Sequence, residues 1–215
     1  LGDVYKRQPY NLKFVTNGVS CTTASIITAA LGIRDLEAIT PADIEQIRRI
    51  HVLLVMYNAM QPGVFALSGW DLVGALPLAA DAVAHLMGDG DTRWIHRGAY
   101  DLVELNPDAE LSAGQMPRAK TLYGSLNSQL QDPDSFASQL QKILAVRNAY
   151  GIAASRQILV PDVEHPGLLI MVHELPAGKG TQITALNFGS TALTETLHLP
   201  DIAPGPVVDL SLIHI

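Results

Sequence analysis

Residues 40–74 read TPADIEQIRRIHVLLVMYNAMQPGVFALSGWDLVG, and this stretch decides the fold. Thr40 predicts an N-cap, and Pro41 falls at the first helical position, where a missing N–H removes no hydrogen bond. Asp43, three residues on, predicts a capping box with Asp in the place of the usual Glu. Ile44, Ile47, Leu54 and Val55 recur at helical spacing, with Glu45, Arg48 and Arg49 on the opposite face. From Val52 to Met56 the helix is apolar all round, which predicts burial on several sides. Gln61-Pro62-Gly63 stops it, because proline cannot continue the ladder and glycine accepts a reversed backbone. Val64-Phe65-Ala66-Leu67 then predicts a short, fully buried strand. Ser68-Gly69-Trp70-Asp71 predicts a loop at that strand's C-terminal end, where α/β proteins build their sites.

On the N-terminal side, Leu12-Lys13-Phe14-Val15 is a small apolar run and Thr16-Asn17-Gly18 a turn. Ser20 is expected to cap a short helix over residues 22–31 that Gly32 closes. On the C-terminal side, a helical turn or two is expected after Asp81, and residues 88–98 predict a long irregular loop carrying arginines, Trp94 and His96. Asp134 or Ser135 caps the next helix, whose Phe136, Leu140, Ile143, Leu144, Arg147 and Tyr150 share one face before Gly151 ends it. From Gln157 the period changes to two. Strands are expected over residues 157–160, 168–174, 181–188 and 193–199, with Pro176-Ala177-Gly178-Lys179-Gly180 turning the second into the third. The expected fold class is therefore α/β followed by an all-β antiparallel domain, the boundary lying near residues 152–156.

Composition narrows the function classes. The chain has 215 residues, 48% of them hydrophobic and only 16% charged, with a mean hydropathy of +0.20. No apolar run reaches the length of a membrane span, so the bias points to surfaces meant to be covered by a larger protein. A net charge of −7 argues against nucleic-acid or anionic-membrane partners. The single cysteine, Cys21, excludes an internal disulfide or a thiolate zinc cluster and fits a cytoplasmic location. The first eight residues carry no apolar signal core; they and residues 210–215 are expected to be non-native tails.

Several motifs fail. His173-Glu174 lacks the second histidine of a zinc helix and sits in a strand pattern. Gly178-Lys179-Gly180-Thr181 lacks phosphate-loop spacing and lies in a hairpin turn. Asp89-Gly90-Asp91 offers no third ligand at calcium-loop spacing. Ser68 is not in a Gly-x-Ser-x-Gly elbow. No metal or other cofactor is expected. The remaining candidates are sugar-contacting types: Trp70 with Asp71, and Arg93 with Trp94, His96 and Arg97. Aromatic rings stack on sugar C–H faces, and planar polar groups pair with hydroxyls.

The passage from helix through Pro62-Gly63 and a short apolar strand to Asp71 and Gly74 resembles the last helix-to-strand passage of the α-amylase family (glycoside hydrolase family 13). There the common pattern is two tyrosines and Gly-Asp-Glu; here Ser68-Gly69 replace the tyrosines, Trp70 the glycine and Leu72 the glutamate. Ala145-Val146-Arg147 resembles the family's last barrel helix, and Leu186-Asn187-Phe188-Gly189 a strand of its C-terminal domain. Over residues 9–200 the likeness is to the trehalose synthase-like branch. The resemblance implies the C-terminal part of a (β/α)8 barrel over residues 9–152 and an antiparallel β-domain over 156–209. It also implies a maltose–trehalose isomerase acting on an α-linked glucose disaccharide by retaining glucosyl transfer. Such chemistry needs two carboxyl groups about 5–5.5 Å apart, and the family's Asn-His-Asp motif does not occur here. The catalytic carboxylates are thus expected upstream of residue 1, no catalytic residue is assigned, and the fragment alone should be inactive. Another α-glucan hydrolase or transglycosylase, and a noncatalytic carbohydrate-binding or scaffolding protein, are the alternative readings.

Overall fold

The computed structural model describes residues 13–15, 18–88, 91–199, 202 and 205–210. The tails at 1–8 and beyond Leu210, the Thr16-Asn17 turn and the Asp89-Gly90 pair lie outside the described residues. The chain is a mixed helical structure with a small three-stranded antiparallel sheet. It divides into two compact units, Leu1–His51 with Leu67–Ser138, and Val52–Ala66 with Gln139–Ile215.

The first unit opens with a hairpin of β1 (Lys13–Val15) and β2 (Gly18–Ser20). Helix α1 (Thr23–Ala30) follows, and its cap is Thr22, whose Oγ1 accepts from the Ser25 N–H at 3.2 Å. Ser20 was the expected cap; the hydroxyl two residues later takes the role, because Ser20 belongs to β2. Helix α2 (Pro41–Ala59) begins with the expected capping box: Thr40 N–H donates to Asp43 Oδ2 at 2.9 Å and Asp43 N–H to Thr40 Oγ1 at 3.2 Å. Its first half, through His51, belongs to this unit. Helix α3 (Gly69–Val73) is a single turn closed by Gly74 in left-handed geometry, φ +60°. A 3-10 turn at Asp81–Leu86 stands where a helical turn or two was expected, and a second at Thr92–His96 takes up the middle of the irregular loop expected over residues 88–98. Helix α4 (Leu126–Gln129), capped by Ser125, leads to α5 (Phe136–Tyr150). Val73, Ala75, Leu78, Val83, Ile95 and Ala119 form the unit's apolar cluster.

Gly74 shows how tightly this unit is closed. A Cβ there would meet Tyr123 ring carbons at 2.7–2.9 Å, whereas at Gly32 (φ +71°) it would meet nothing within 4 Å. Gly32→Ala should therefore show only left-handed strain, about 1 kcal/mol. Gly74→Ala should add a ring clash for about 2–3 kcal/mol in all. Denaturant unfolding of the two variants side by side separates the two effects, and equal losses would remove the clash from the account.

The second unit holds the rest of α2 and α5, a 3-10 turn at Ile152–Ala154, and the sheet β3 (Arg156–Leu159), β4 (Leu168–Glu174) and β5 (Thr181–Asn187) in the order β3-β4-β5. Leu169 pairs with Leu186, Met171 with Thr184 and His173 with Gln182. That row lies on one face by strand alternation, and Leu53 and Met56 of α2 pack against Leu169, Met171 and Leu186.

Two expected strands are corrected. Residues 64–67 enter no ladder among the described residues, and Val64 is 98% exposed rather than buried. A four-residue apolar run specifies an extended chain only where a partner strand supplies the pairing. Residues 193–199 keep the expected alternation, with Leu193, Leu197 and Leu199 half-buried and Thr194, Thr196 and His198 exposed, but join no ladder among the described residues. Alternation reports a half-covered extended segment, not a hydrogen-bonded neighbour.

Candidate functional site

The first unit's polar centre is built on three helices. Ser68, extended at φ −80°, ψ 154°, starts α3 and puts Asp71 in its first turn, where a negative charge suits the helix dipole. The side chain then turns inward rather than to solvent. Asp71 Oδ2 accepts from Ser68 Oγ at 3.0 Å, and Oδ1 lies 3.6 Å from His51 Nε2 on α2. His51 Nδ1 is 3.0 Å from the Tyr123 hydroxyl. Phe136, at the start of α5, covers the group: its ring centroid is 4.5 Å from that of His51 and 5.1 Å from that of Tyr123, the latter stacked at 23°.

His51 and Phe136 are completely buried and Asp71 is 9% exposed. Burial pushes the Asp71 carboxyl up, but its interactions with His51, Thr23 and Ser68 outweigh it and hold the carboxyl below its ordinary value. Burial, with the Asp71 charge behind it, drives the Tyr123 phenol far above its ordinary value. Tyr123 keeps its proton at any working pH, and in the neutral His51 tautomer that aims Nε2–H at Asp71 the phenol donates to Nδ1. Ser68, Asp71, His51 and Tyr123 thus form one oriented chain of dipoles ending on a carboxylate. Its enclosure suits it to fixing α2, α3 and the Tyr123 segment against each other rather than to exchanging protons with a ligand.

Because the folded state holds Asp71 ionised below its ordinary pKa, it contributes stability above about pH 4 that is lost as pH falls through the folded value. Asp71→Asn should lower the unfolding free energy at neutral pH by about 1–3 kcal/mol, with the deficit shrinking below about pH 4. Urea unfolding across that range checks the sign; a deficit that persists unchanged in acid would contradict it.

The other sequence candidates gather on one apolar cluster. Trp70 and Trp94 both pack against the Val73–Ile95–Ala119 group. The Arg97 guanidinium lies 4.6 Å above the Trp94 ring and 3.7 Å from Asp91 Oδ2. Arg93 grips Asp91 with both arms, Nε to Oδ1 at 2.7 Å and Nη2 to Oδ2 at 2.8 Å. Asp91 also caps the Thr92–His96 turn through the Arg93 N–H. The Arg93 hydrogen bonds, then the Arg93 and Arg97 charges, pull the Asp91 carboxyl down to about 2. His96 is buried. The structure thus packs Trp70 and Trp94 against one buried cluster, sets Arg97 on Trp94, places the Arg93 guanidinium on Asp91, and turns Asp71 away into the His51 network.

His51 and Tyr123 were not singled out by sequence reasoning. The signal for His51 was available: one titratable residue beside the all-apolar run from Val52 to Met56 needs a buried partner. Among the described residues no group of three or more His, Cys, Asp or Glu could hold a metal ion, and no helix is long and apolar enough to cross a membrane. No family model matches the chain, and no curated protein matches it at a significant level.

Proposed function

We propose that this chain is the C-terminal part of an α-amylase family (β/α)8 enzyme of the trehalose synthase-like branch, followed by its β-domain. The whole protein would interconvert maltose and trehalose with retention of configuration, using carboxylates on barrel segments upstream of residue 1. In that reaction a carboxylate attacks C1 of the non-reducing glucose as the glycosidic oxygen takes a proton and leaves. The anomeric hydroxyl of the released glucose then attacks C1 and regenerates the carboxylate.

The observation that carries this reading is the construction of the turn after Pro62-Gly63. Residues 64–67 run without a ladder into α3, Asp71 is anchored inward at its first turn, and Gly74 closes it in left-handed geometry. Pro62, Gly63, Asp71 and Gly74 are the positions that match the family. The three-stranded antiparallel sheet after α5 stands where the family carries its β-domain. Trp70 and Trp94, held on one cluster, are the surface offered to an α-linked disaccharide.

The test is to express the complete reading frame that carries this chain and incubate it with maltose. Proton NMR should show the α,α-trehalose anomeric signal growing as maltose falls. Release of glucose alone would replace isomerisation by hydrolysis. No turnover, with retention on immobilised α-glucan, would replace the enzyme by a binding protein.

A further inference from the structure

We infer that His173 is an acid-operated release in the second unit: the imidazole is enclosed between the sheet and α2, and its protonation drives the sheet off the end of that helix. This goes beyond the functional proposal and does not depend on it.

His173 is completely buried, and neither ring nitrogen has a protein partner. Its row on the sheet is apolar or uncharged. Met171 and Leu169 precede it on the same face of β4, Gln157 pairs with it from β3, and Gln182 pairs with it from β5. The helix packed on that face is α2, through Leu53 and Met56. From Val52 to Ala59 this helix carries one titratable side chain, the half-exposed Tyr57, and no charged one. β5 has no titratable residue. The cation of β3, Arg156, pairs with Glu174 at 2.7 Å on the opposite face of the sheet. Lys179, in the turn between β4 and β5, donates to the Ala149 carbonyl at 2.7 Å. An imidazolium at this position would therefore have no carboxylate to answer it, and a buried unpaired charge is not tolerated. Burial accordingly lowers the imidazole pKa, with no charged neighbour among its causes.

The same row holds the connection that would be lost. Gln182 Nε2 donates to the Met60 carbonyl just past α2 at 3.0 Å and to Thr184 Oγ1 at 2.6 Å, while its Oε1 has no partner. Exposing His173 to water to accept a proton displaces Gln182 with it, because the two are cross-strand partners.

The folded state binds fewer protons than the opened one, so stability is present above the ordinary imidazole value of about 6.5 and falls below it. The open population should rise by about tenfold per pH unit in that range. Amide hydrogen exchange on the full chain, corrected for intrinsic rates, measures it. Between about pH 7.5 and 5, protection of β4, β5 and the end of α2 should fall in the wild type. It should stay flat there in both His173→Gln and His173→Leu, two variants of different polarity. Buried His51 and His96 remain in both, so subtraction isolates His173. A wild type without the loss, or variants that keep it, would overturn the inference. NMR titration of the wild-type ring gives an independent answer. The folded signal should stay neutral below the ordinary value, and titration at about 6.5 with the fold intact would also overturn it.

Discussion

Replacing Arg147 by methionine should lower the unfolding free energy by about 3–5 kcal/mol, the largest single effect expected in the second unit. Arg147 is 6% exposed, and its guanidinium donates to the carbonyls of Ala59, Gln61 and Gly63, at 2.7 Å in the case of Gln61. These are the last carbonyl of α2 and two in the turn that follows it. A helix leaves its final carbonyls without internal partners, and a cation there also faces the negative end of the helix dipole. Methionine fills much of the same volume yet leaves three acceptors unanswered, each worth about 1–3 kcal/mol when buried and not strictly additive. Arg147→Lys should recover only part of the loss, because an ammonium is a point donor and cannot spread across three carbonyls as the planar fork does. Denaturant unfolding of both variants decides the matter. A methionine variant within about 1 kcal/mol of wild type would mean that water serves the carbonyls equally well.

Phe136→Ala should cost about 3–5 kcal/mol in the first unit. The ring is completely buried and lies against both His51 and Tyr123. Removing it takes away the apolar wall on which the imidazole and phenol are oriented, so the loss includes more than transfer of a benzyl group. Phe136→Leu keeps most of the volume and should cost about 1–2 kcal/mol. The near-UV circular dichroism difference against a Tyr123→Phe variant isolates Tyr123 among the six tyrosines and two tryptophans. Its signal should collapse in the alanine variant and persist in the leucine one, and an alanine variant with native signal and stability would refute the wall.

What was legible in the sequence is what residues a few positions apart decide. Thr40 and Asp43 form their box because donor and acceptor lie within one turn. The Phe136–Leu140–Ile143–Arg147 face of α5 is buried as its spacing implies. The sheet partners Leu168–Glu174 and Thr181–Asn187 were bounded to within a residue because a Gly-rich turn links them. Features that depend on distant partners were not legible. An apolar run at 64–67 reads alike whether a neighbour pairs with it or not. Asp71 reads as a loop carboxylate open to ligand, and only the arrival of His51 from α2 turns it inward. Trp70 and Trp94 were both visible as aromatic candidates, but that they share a cluster depends on the fold of the chain between them.

The end of α2 carries a consequence for synthesis. Its stop, Pro62-Gly63, is written locally, but the groups that satisfy the carbonyls of Ala59, Gln61, Gly63 and Met60 are Arg147, 84–88 residues later, and Gln182, 122 residues after Met60. At about 5–20 residues per second on the ribosome, Gln182 emerges roughly 6–24 s after the carbonyl it serves. Until Arg147 and then Gln182 emerge, the carbonyls of Ala59, Met60, Gln61 and Gly63 have only water to bind, whereas Gln61 serves the Tyr57 carbonyl from close by. A chaperone that shields the nascent helix should raise yield most when it acts before residue 182 has left the tunnel.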